Sequence, residues 1–248
     1  MTSPETGNPI MDLERHLVAQ TSLLNGGASF FWHRLRSEYA LDAIRRLARA
    51  RPTVLDVGAG AGIFGTHLRE ALPDGRYAFI EPLESLARDL RSRFGPDADW
   101  RDRSYGDADA VVVLDVLEHQ EKDVLFLKDL AAKLRPRTIL VITCPALDLL
   151  WSEWDVKLGH FRRYTLRSLG RVLCGAGLEI LDSRYIFHAM VLPGLVRRFQ
   201  KPSRPEFPEI SDTLNRIIYR LGRIERALGS WLPFGSSVGA VCRTKPGD

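Results

Sequence analysis

Cysteine and methionine are both scarce in this sequence of 248 residues, which contains 3 of each. The cysteines, Cys144, Cys174 and Cys242, are far apart, odd in number and without the close spacing of metal ligands. A disulfide framework and a cysteine-based zinc site are therefore excluded, and we expect reduced, buried thiols. No apolar run approaches the roughly 18 residues that a membrane-spanning helix needs. The sequence therefore predicts no transmembrane helix.

Two further features are missing from the sequence, a signal peptide and a strong charge imbalance. Residues 1–8 lack the basic and then apolar pattern of a secretory signal, so we expect a cytoplasmic protein. The chain has 35 basic and 31 acidic residues, a formal net charge of +4, and far more arginine than lysine. A mild basic excess favours anionic partners without identifying one. Nucleic acid, phospholipid head groups and a phosphorylated small substrate all remain open.

The most informative stretch covers residues 53–64. A short apolar run meets Asp56, and Gly58, Gly60 and Gly62 follow at alternate positions before apolar residues at helical spacing. This pattern predicts a strand, a tight turn and a helix. Glycine lets the backbone turn sharply and lets a ligand approach the main chain. Such a turn at the end of the first strand of a doubly wound sheet is where ligands bind.

The glycine spacing distinguishes between two kinds of ligand. A dinucleotide fingerprint needs glycine at its first, third and sixth positions, whereas the sixth position counted from Gly58 is Ile63. The spacing instead resembles motif I of the class I S-adenosylmethionine (SAM)-dependent methyltransferases. The resemblance implies that the methionine part of SAM lies against Asp56, Gly58, Ala59, Gly60 and Gly62. A nucleotide-binding turn and a purely structural turn are the alternatives.

The resemblance covers most of the chain and implies an α/β fold. We expect a Rossmann-like, seven-stranded, mostly parallel sheet with helices on both faces. The third strand is short, at Ala98–Asp102, and the last two lie at Leu178–Phe187 and Val238–Arg243 in antiparallel pairing. A helical insertion at about 188–235 separates these last two strands. Residues 1–50 are predicted to form a tail and helical cap, and residues 51–248 the SAM-binding domain.

Acids at strand ends complete the predicted cofactor site. Glu81 lies about 20 residues beyond the loop, where an acid bonds the ribose hydroxyls, and a carboxylate can accept hydrogen bonds from both. The alternative for Glu81 is an exposed acid at a strand end. The resemblance also implies that Leu114 and Asp115 line the methyl-transfer cleft and that Asp102 and Trp100 lie near adenine.

Histidines are the candidate catalytic residues. Positioning accelerates an in-line methyl transfer, and a base that removes the acceptor's proton helps further. Histidine suits this role because its ordinary pKa is near neutrality. His160 and His119 both follow predicted strands, although each could instead anchor a turn. Asp115, Glu118 and His119 also resemble the metal-binding segment of some methyltransferases, which His160 would complete. We assign no metal, because similar segments occur in relatives that use none.

Three groups of residues are candidates for acceptor binding. Phe30–Arg36 is an aromatic segment that would cover either the core or the cofactor and acceptor. Arg162 and Arg163 suit phosphate or carboxylate recognition, with surface ion pairing as the alternative. Trp151 and Trp154 would stack on a planar acceptor or a sugar, or pack in the wall.

The insertion contains a second amphipathic pattern. Its apolar residues are Leu214, Ile217, Ile218, Leu221, Ile224 and Leu228, and its other face carries Arg216, Arg220, Arg223 and Arg226. We leave three interpretations open: a helix packed over the core, a lid that closes on the acceptor, and a surface helix on an anionic membrane.

We therefore predict a cytoplasmic SAM-dependent methyltransferase, with a peripheral membrane contact through 188–235 left open. Its acceptor is expected to be a small-molecule or lipid-linked metabolite, methylated on oxygen. The alternatives are a catalytically silent SAM-binding partner subunit and a dinucleotide or nucleotide-sugar oxidoreductase. Nucleic acid is disfavoured as the acceptor, because no recognised RNA-binding motif accompanies the basic residues. No oligomeric state is predicted.

Overall fold

The computed structural model describes residues 28–199, 210–227 and 232–245. The predicted tail at residues 1–11 and the helical pattern at 12–24 lie outside the described residues. In the described part of the chain, six strands form one sheet in the order β2-β1-β3-β4-β6-β5. The strands are β1 (Thr53–Val57), β2 (Arg76–Ile80), β3 (Ala110–Leu114), β4 (Ile139–Pro145), β5 (Leu178–Ile186) and β6 (Ser237–Thr244).

The direction of each strand follows the predicted pattern. Strands β2, β1, β3 and β4 are parallel, and β6 runs antiparallel between β4 and β5. Every residue of β1 and β3 is buried, which explains their nearly continuous apolar sequences, since helices cover both faces of a parallel sheet. The fold prediction is confirmed in class, in its mostly parallel sheet and in the inserted last strand.

The predicted third strand is wrong, so the sheet of the described residues has six strands in place of seven. The segment Ala98–Asp102 makes only one isolated parallel bridge, between Phe79 and Asp99. Two short 3₁₀ turns, Pro96–Ala98 and Tyr105–Asp107, take up much of this connection. The chain turns directly after the bridge, where the Arg103 N–H donates to the Trp100 carbonyl at 3.2 Å, so the bridge does not extend into a strand.

Eight α-helices belong to the described residues. They are α1 (Phe31–Leu47), α2 (Ile63–Ala71), α3 (Glu84–Phe94), α4 (Asp123–Ala132), α5 (Glu153–Lys157), α6 (Leu166–Gly175), α7 (Val191–Arg197) and α8 (Asp212–Ala227). Side chains of α1, α2 and α3 pack with one set of strand residues, and side chains of α4 and α6 pack with another. The two cores therefore lie on opposite faces of the sheet. None of the helices in the described ranges is long and apolar enough to span a bilayer.

The insertion between β5 and β6 contains α7 and α8. Helix α8 packs against α1 through polar contacts and through Ile218 and Tyr219, whereas Leu214, Ile217, Leu221 and Ile224 of the predicted apolar face are exposed. Asn215 exchanges hydrogen bonds with the backbone at the start of α1, and Gly222 lies against Leu35, so closely that a Cβ would come within 2.3 Å of it. Arg226 donates to Asp42 at 2.8 Å. The division into a cap at 1–50 and a domain at 51–248 stays a prediction.

Candidate functional site

A cavity of about 770 Å³ lies where β1, β3 and β4 end. Its position agrees with the rule that open α/β sheets bind ligands beyond the carboxyl ends of their strands. Of the predicted site residues, eight line it: Asp56, Gly58, Ala59, Gly60, Leu114, Asp115, His119 and His160. Gly62 and Glu81 do not line it directly. Gly62 can affect binding only through the shape of the turn, and Glu81 only through the turn or through the acceptor sites that its backbone hydrogen bonds leave free.

The glycine turn gives the cavity a wall of bare backbone. Gly58 and Gly60 have φ angles of 76° and 53°, in the left-handed region that favours glycine. A Cβ added to Gly58 would lie 2.7 Å from Val116 Cγ2. Any side chain at Gly58 would therefore strain the backbone and collide with the residue after Asp115, which explains why the sequence has glycine at this place.

Glu81 supports the turn from behind. Its Oε2 accepts a hydrogen bond from the Gly60 N–H at 2.7 Å, and its Oε1 accepts one from the Leu83 N–H at 2.9 Å. Burial raises the pKa of Glu81, although these two hydrogen bonds oppose the rise. Each carboxylate oxygen has two acceptor sites, so each keeps one beyond the backbone bonds.

Gly62 serves the packing of the next helix. It is the N-cap of α2 with φ 68°, and an added Cβ would lie 2.4 Å from Leu90 Cδ2. Helix α3 therefore packs directly on this position. The third glycine of the motif lets two helices approach, while the first two leave the cavity wall without side chains.

Asp56 lies under the turn and is only 2 % exposed. Its Oδ2 accepts a hydrogen bond from the Tyr77 hydroxyl at 2.9 Å. Burial raises the pKa of Asp56 to about 7, against the opposing effects of Tyr77 and Arg36. The carboxyl group is therefore poised to lose a proton near neutral pH when a cation comes close.

Asp115 stands at the end of β3 in a strained conformation. Its φ is 56°, which is uncommon for a residue other than glycine and is often found at functional sites. Arg36 of α1 pairs with Oδ2, and the Thr143 hydroxyl donates to Oδ1 at 3.0 Å. The Asp115 carboxylate thus joins α1 to the sheet at the centre of the cavity.

The two candidate histidines lie next to each other. Their ring centroids are 4.7 Å apart, and the rings meet edge to face. His160 Nδ1 lies 2.9 Å from Asp155 Oδ1. Because a carboxylate can only accept, Nδ1 carries the proton, and in the neutral ring Nε2 is the free acceptor. This is the arrangement of an oriented general base.

Asp155 was not predicted as a functional residue. It is fully buried and also accepts hydrogen bonds from Arg163 Nε at 2.8 Å and from Arg163 Nη2 at 3.0 Å. Burial would raise the pKa of Asp155, but the hydrogen bonds from His160 and Arg163 outweigh it and lower the pKa to about 2. The carboxylate is therefore charged throughout the physiological range.

One signal in the sequence could have identified Asp155. Ser152 and Asp155 form a capping box at the start of α5, with the serine and acid three residues apart that such a box requires. Asp155 Oδ2 accepts from the Ser152 backbone N–H at 2.9 Å, while Oδ1 faces His160. Asp155 thus uses Oδ2 to cap α5 and Oδ1 to orient the ring of His160, five residues further along the chain.

His119, the second histidine of the pair, is preceded by the buried Glu118. Burial and the neighbouring His160 lower the pKa of His119 to about 4, despite Asp115, so its ring is neutral at pH 7. Glu118 is 1 % exposed, and burial followed by Asp115 raises its pKa. Glu118 Oε2 has no hydrogen-bond partner among the described residues. Nitrogens or oxygens of Glu118, His119 and His160 lie within 4.8 Å of one another, so these three residues could ligate a metal ion.

The arginines predicted to recognise an anion are already paired. Arg163 is held by Asp155, and Arg162 donates to Asp123 Oδ2 at 3.0 Å and to the Glu121 carbonyl at 2.8 Å. Both guanidinium groups therefore fix the loop that carries His160. The structure gives the anion-binding prediction no support.

The residues predicted to contact adenine are placed elsewhere. Trp100 is 2 % exposed and packs in the core with α4 and α6, and Asp102 lies on the exposed surface. Neither residue lines the cavity. The missing third strand explains this, since it would have carried both side chains to the sheet edge.

The wall opposite the glycine turn is largely apolar and aromatic. Trp154 lies under the Arg197 guanidinium, 3.6 Å from its ring centroid, and Trp32 packs against Phe187 with centroids 4.4 Å apart. Residues in or beside α1, α5 and α7 complete this wall: Phe30, Phe31, Leu150, Leu158, Met190, Pro193, Gly194 and Val196. The aromatic segment of α1 thus belongs both to the core and to the cavity. Trp151 does not line it.

Comparisons with known proteins agree with this architecture. Residues 31–183, more than half of the chain, match a family model described as a methyltransferase domain. No curated protein sequence matches the chain.

Three solved structures illustrate the similarity in fold. The first is a complex of the Haloferax volcanii Trm112 methyltransferase activator with a protein assigned as a methyltransferase (17 % identity, TM-score 0.60, 95 % of this chain and 98 % of that one). The second is a Thermotoga maritima protein described as a SAM-dependent methyltransferase (14 %, 0.57, 96 % and 100 %). The third is Burkholderia thailandensis 1,6-didemethyltoxoflavin-N1-methyltransferase with its acceptor and S-adenosylhomocysteine bound (16 %, 0.56, 98 % and 93 %). At these identities the likeness concerns the fold alone.

The matched segment contains the glycine turn, β3, Asp115 and the histidine pair, so the family match and the cavity describe the same part of the molecule. The chain belongs to the methyltransferase-domain family and is a class I, SAM-dependent methyltransferase.

Proposed function

We propose that this protein transfers the methyl group of SAM to an acceptor oxygen in the 770 Å³ cavity. The observation that carries the proposal is that one cavity contains both a turn of glycines and alanines and a histidine oriented by a buried carboxylate. A pocket of this size lies within the range that holds small ligands. The cavity has a polar cofactor half and an apolar acceptor half.

The residues of the turn fit SAM by their chemistry. Gly58, Ala59 and Gly60 line the cavity and would contact the amino-acid portion, because glycine and alanine leave the backbone accessible to a ligand. Asp56 and Asp115 offer carboxylates to its ammonium and sulfonium groups. Glu81 would reach the ribose with the acceptor sites that its backbone bonds leave free. Leu114 would line the methyl cleft, and Gly62 would act by holding α2 and α3 together.

SAM supplies a methyl group on a good leaving group. The chain's own residues would supply position and a base. His160 Nε2 would take the hydroxyl proton of the acceptor while the oxygen bonds to the methyl carbon and the bond from that carbon to sulfur breaks, its electron pair going to the sulfur. Asp155 would hold the ring and stabilise the imidazolium that forms. His119, neutral at pH 7, would border the acceptor as a second catalytic residue.

A second candidate mechanism uses a divalent metal ion. The specific observation in its favour is the buried Glu118 Oε2 without a partner, beside His119 and His160. A bound cation would lower the pKa of an acceptor hydroxyl. If turnover is unchanged in EDTA and is not raised by Mg²⁺ or Mn²⁺, the base mechanism stands. Loss of activity in EDTA with recovery on adding one metal would favour the ion.

The nature of the acceptor follows from the apolar wall. Side chains such as Trp32, Trp154 and Met190 suit a small aromatic or apolar molecule or the head of a lipid-linked metabolite. The prediction that nucleic acid is not the acceptor stays a prediction, as does a cytoplasmic location with peripheral membrane contact.

Two measurements test the proposal. Calorimetric titration with SAM and with NAD separates it from the oxidoreductase alternative, because a dinucleotide enzyme would bind NAD and ignore SAM. Turnover of methyl-labelled SAM with a panel of hydroxyl and amine acceptors separates the enzyme from a silent SAM-binding subunit. Transfer to amines alone would remove the assignment to oxygen. Tight SAM binding with no transfer to any acceptor would favour the silent subunit.

A further inference from the structure

Helix α8 turns its apolar side to solvent. Leu214, Ile217, Leu221 and Ile224, which we call the α8 stripe, recur at intervals of three and four residues and are each 44–56 % exposed. They therefore lie on one side of the helix. No residue of α8 is buried, although the helix has 16 residues. Single exposed apolar residues are ordinary, whereas a continuous row of them marks a surface that binds something.

The opposite side of α8 explains this orientation. Asn215, Tyr219, Gly222 and Arg226 attach the helix to α1 through hydrogen bonds, an ion pair and a close backbone approach. These four residues also recur at intervals of three and four, and they fall on the side away from the stripe. Ile218 and Tyr219 also pack against the cluster of Phe31, Leu35 and Phe187. Together these contacts hold the helix with its stripe outward, whereas an ordinary surface helix buries its whole apolar face.

Charge beside the stripe indicates what covers it. Arg216, Arg220 and Arg223 are exposed and follow one edge of the stripe. An apolar face of leucine and isoleucine bordered by arginine is the pattern of a helix that lies in the interface of an anionic bilayer. A second copy of this chain would bring two rows of like charge together, which opposes pairing.

We propose that the α8 stripe docks this protein on the surface of an anionic lipid bilayer. The apolar side chains enter the interfacial region, and the arginines remain among the head groups. The net charge of +4 assists the approach.

The docking surface is connected to the acceptor half of the cavity. Glu225 of α8 accepts hydrogen bonds from the backbone N–H groups of His188, at 2.9 Å, and Ala189, at 3.3 Å. The next residues, Met190, Pro193 and Gly194, line the cavity. Docking through α8 would therefore place Met190, Pro193 and Gly194 close to the membrane. An acceptor carried by a lipid fits this placement. This consequence rests on the proposed function, whereas the docking does not.

Vesicle binding tests the proposal with the full chain. We expect the protein to co-sediment with vesicles that contain phosphatidylcholine and phosphatidylglycerol, and to bind vesicles of phosphatidylcholine alone much more weakly. Replacing two residues of the stripe, I217Q with L221Q, should weaken binding by about tenfold, because two apolar side chains leave the interface. R216Q with R220Q should weaken it mainly at low salt.

A matched control uses apolar residues that are equally exposed elsewhere. Leu47 on α1 and Leu125 on α4 are 46 % and 50 % exposed, so L47Q with L125Q should bind vesicles like the wild type. All variants should melt at the wild-type temperature, since the changes are on the surface.

Three results would overturn the docking. They are a wild-type protein that ignores both kinds of vesicle, stripe variants that bind as well as the wild type, and a concentration-dependent dimer that the stripe variants abolish while vesicles remain unbound. The last would assign the stripe to a second copy. Because the assay involves no methyl transfer, it can fail while turnover succeeds, and the reverse.

Discussion

The two halves of the cavity are built from different materials. The cofactor half is backbone and short carboxylates at the ends of β1 and β3, fixed by ladder hydrogen bonds of adjacent strands. The acceptor half is made of large side chains from α1, α5 and α7, which are far apart in sequence. Few residue types can form the backbone shape of the cofactor half, whereas many residue types could form the side-chain surface of the acceptor half.

This difference separates cofactor binding from the selection of the acceptor. A turn with positive φ angles accepts almost no substitution, so it suits a cofactor that stays the same. A wall of aromatic and aliphatic side chains changes shape by substitution, so we expect it to determine which acceptor binds. The histidine pair lies where the halves meet, in reach of both.

The largest expected effect on activity concerns the histidine pair. H160A should lower kcat by about 10²- to 10⁴-fold, the usual range for a positioned base, and should leave the affinity for SAM within a factor of two. D155N should lower kcat less and change the pH profile, because the ring keeps a hydrogen-bond partner but loses the charge. Rates and SAM affinity are measured on the same preparations.

The matched comparison is H119A. Because His119 is neutral and is not oriented by a carboxylate, its loss should lower kcat by less than the loss of His160. A larger loss in H119A than in H160A would exchange their roles.

The next effect tests the cofactor half. G58A places a side chain at φ 76° and within 2.7 Å of Val116, so the free turn should shift to relieve a strain of about 2 kcal/mol. SAM binding must then restore the original turn, which should lower SAM affinity by up to roughly thirtyfold. G170A is the control, since Gly170 lies in α6 and an added Cβ meets nothing closer than 3.9 Å. Calorimetry should find SAM affinity unchanged in G170A. Equal affinities in wild type and G58A would mean that the turn does not hold SAM.

A smaller effect is a pH dependence of SAM binding. The raised pKa of Asp56, about 7, means that the free protein is mostly protonated there at pH 6. A cationic ligand favours the carboxylate, so binding should release a proton, and affinity should rise about tenfold from pH 6 to pH 8. Titrations in buffers of different ionisation enthalpy count the protons, and D56N should remove the dependence.

The same residue has an opposite effect on the stability of the free protein. Because the pKa of Asp56 is higher in the folded than in the unfolded state, its protonation stabilises the folded protein at low pH. This stabilisation is complete below the pKa of an unfolded aspartate, near 4, and is lost as the pH rises through about 7. D56N should therefore flatten the fall in stability with pH over this interval. Chemical denaturation at pH 5 and pH 8 measures it.

The smallest effect belongs to the acceptor half. An added Cβ at Gly194 would lie 3.3 Å from Leu150 Cδ2, a contact that a flexible leucine can relieve. G194A should therefore raise the acceptor KM by a few-fold at most and leave kcat and SAM affinity unchanged. A loss of SAM affinity in G194A would contradict the separation of the two halves.

The parts that the sequence predicted are those fixed by neighbours along the chain. The strand, turn and helix around Gly58 follow from local glycine spacing, and β3 and β4 follow from continuous apolar runs. The inserted β6 came from the family resemblance, which supplied a topology that periodicity cannot. Local pattern and topology together were enough to place eight predicted residues around one cavity.

The parts that it missed depend on contacts between distant residues. The pairing of Arg36 with Asp115 joins residues 79 positions apart. The orientation of α8 is set by its polar bonds to α1 and by the packing of Ile218 and Tyr219. An amphipathic pattern shows that a helix has two faces but not which of them meets the protein. The third strand was predicted wrongly because the sequence pattern does not show that the chain turns directly after Trp100.

A crystal structure with S-adenosylhomocysteine bound tests the central claim most directly. The account predicts the amino-acid portion against the backbone of Gly58 and Gly60, the ribose within hydrogen-bond distance of Glu81, and the sulfur facing the space beside His160. A ligand bound elsewhere, or a turn that remains closed to it with Glu81 engaged only by Gly60 and Leu83, would contradict the account.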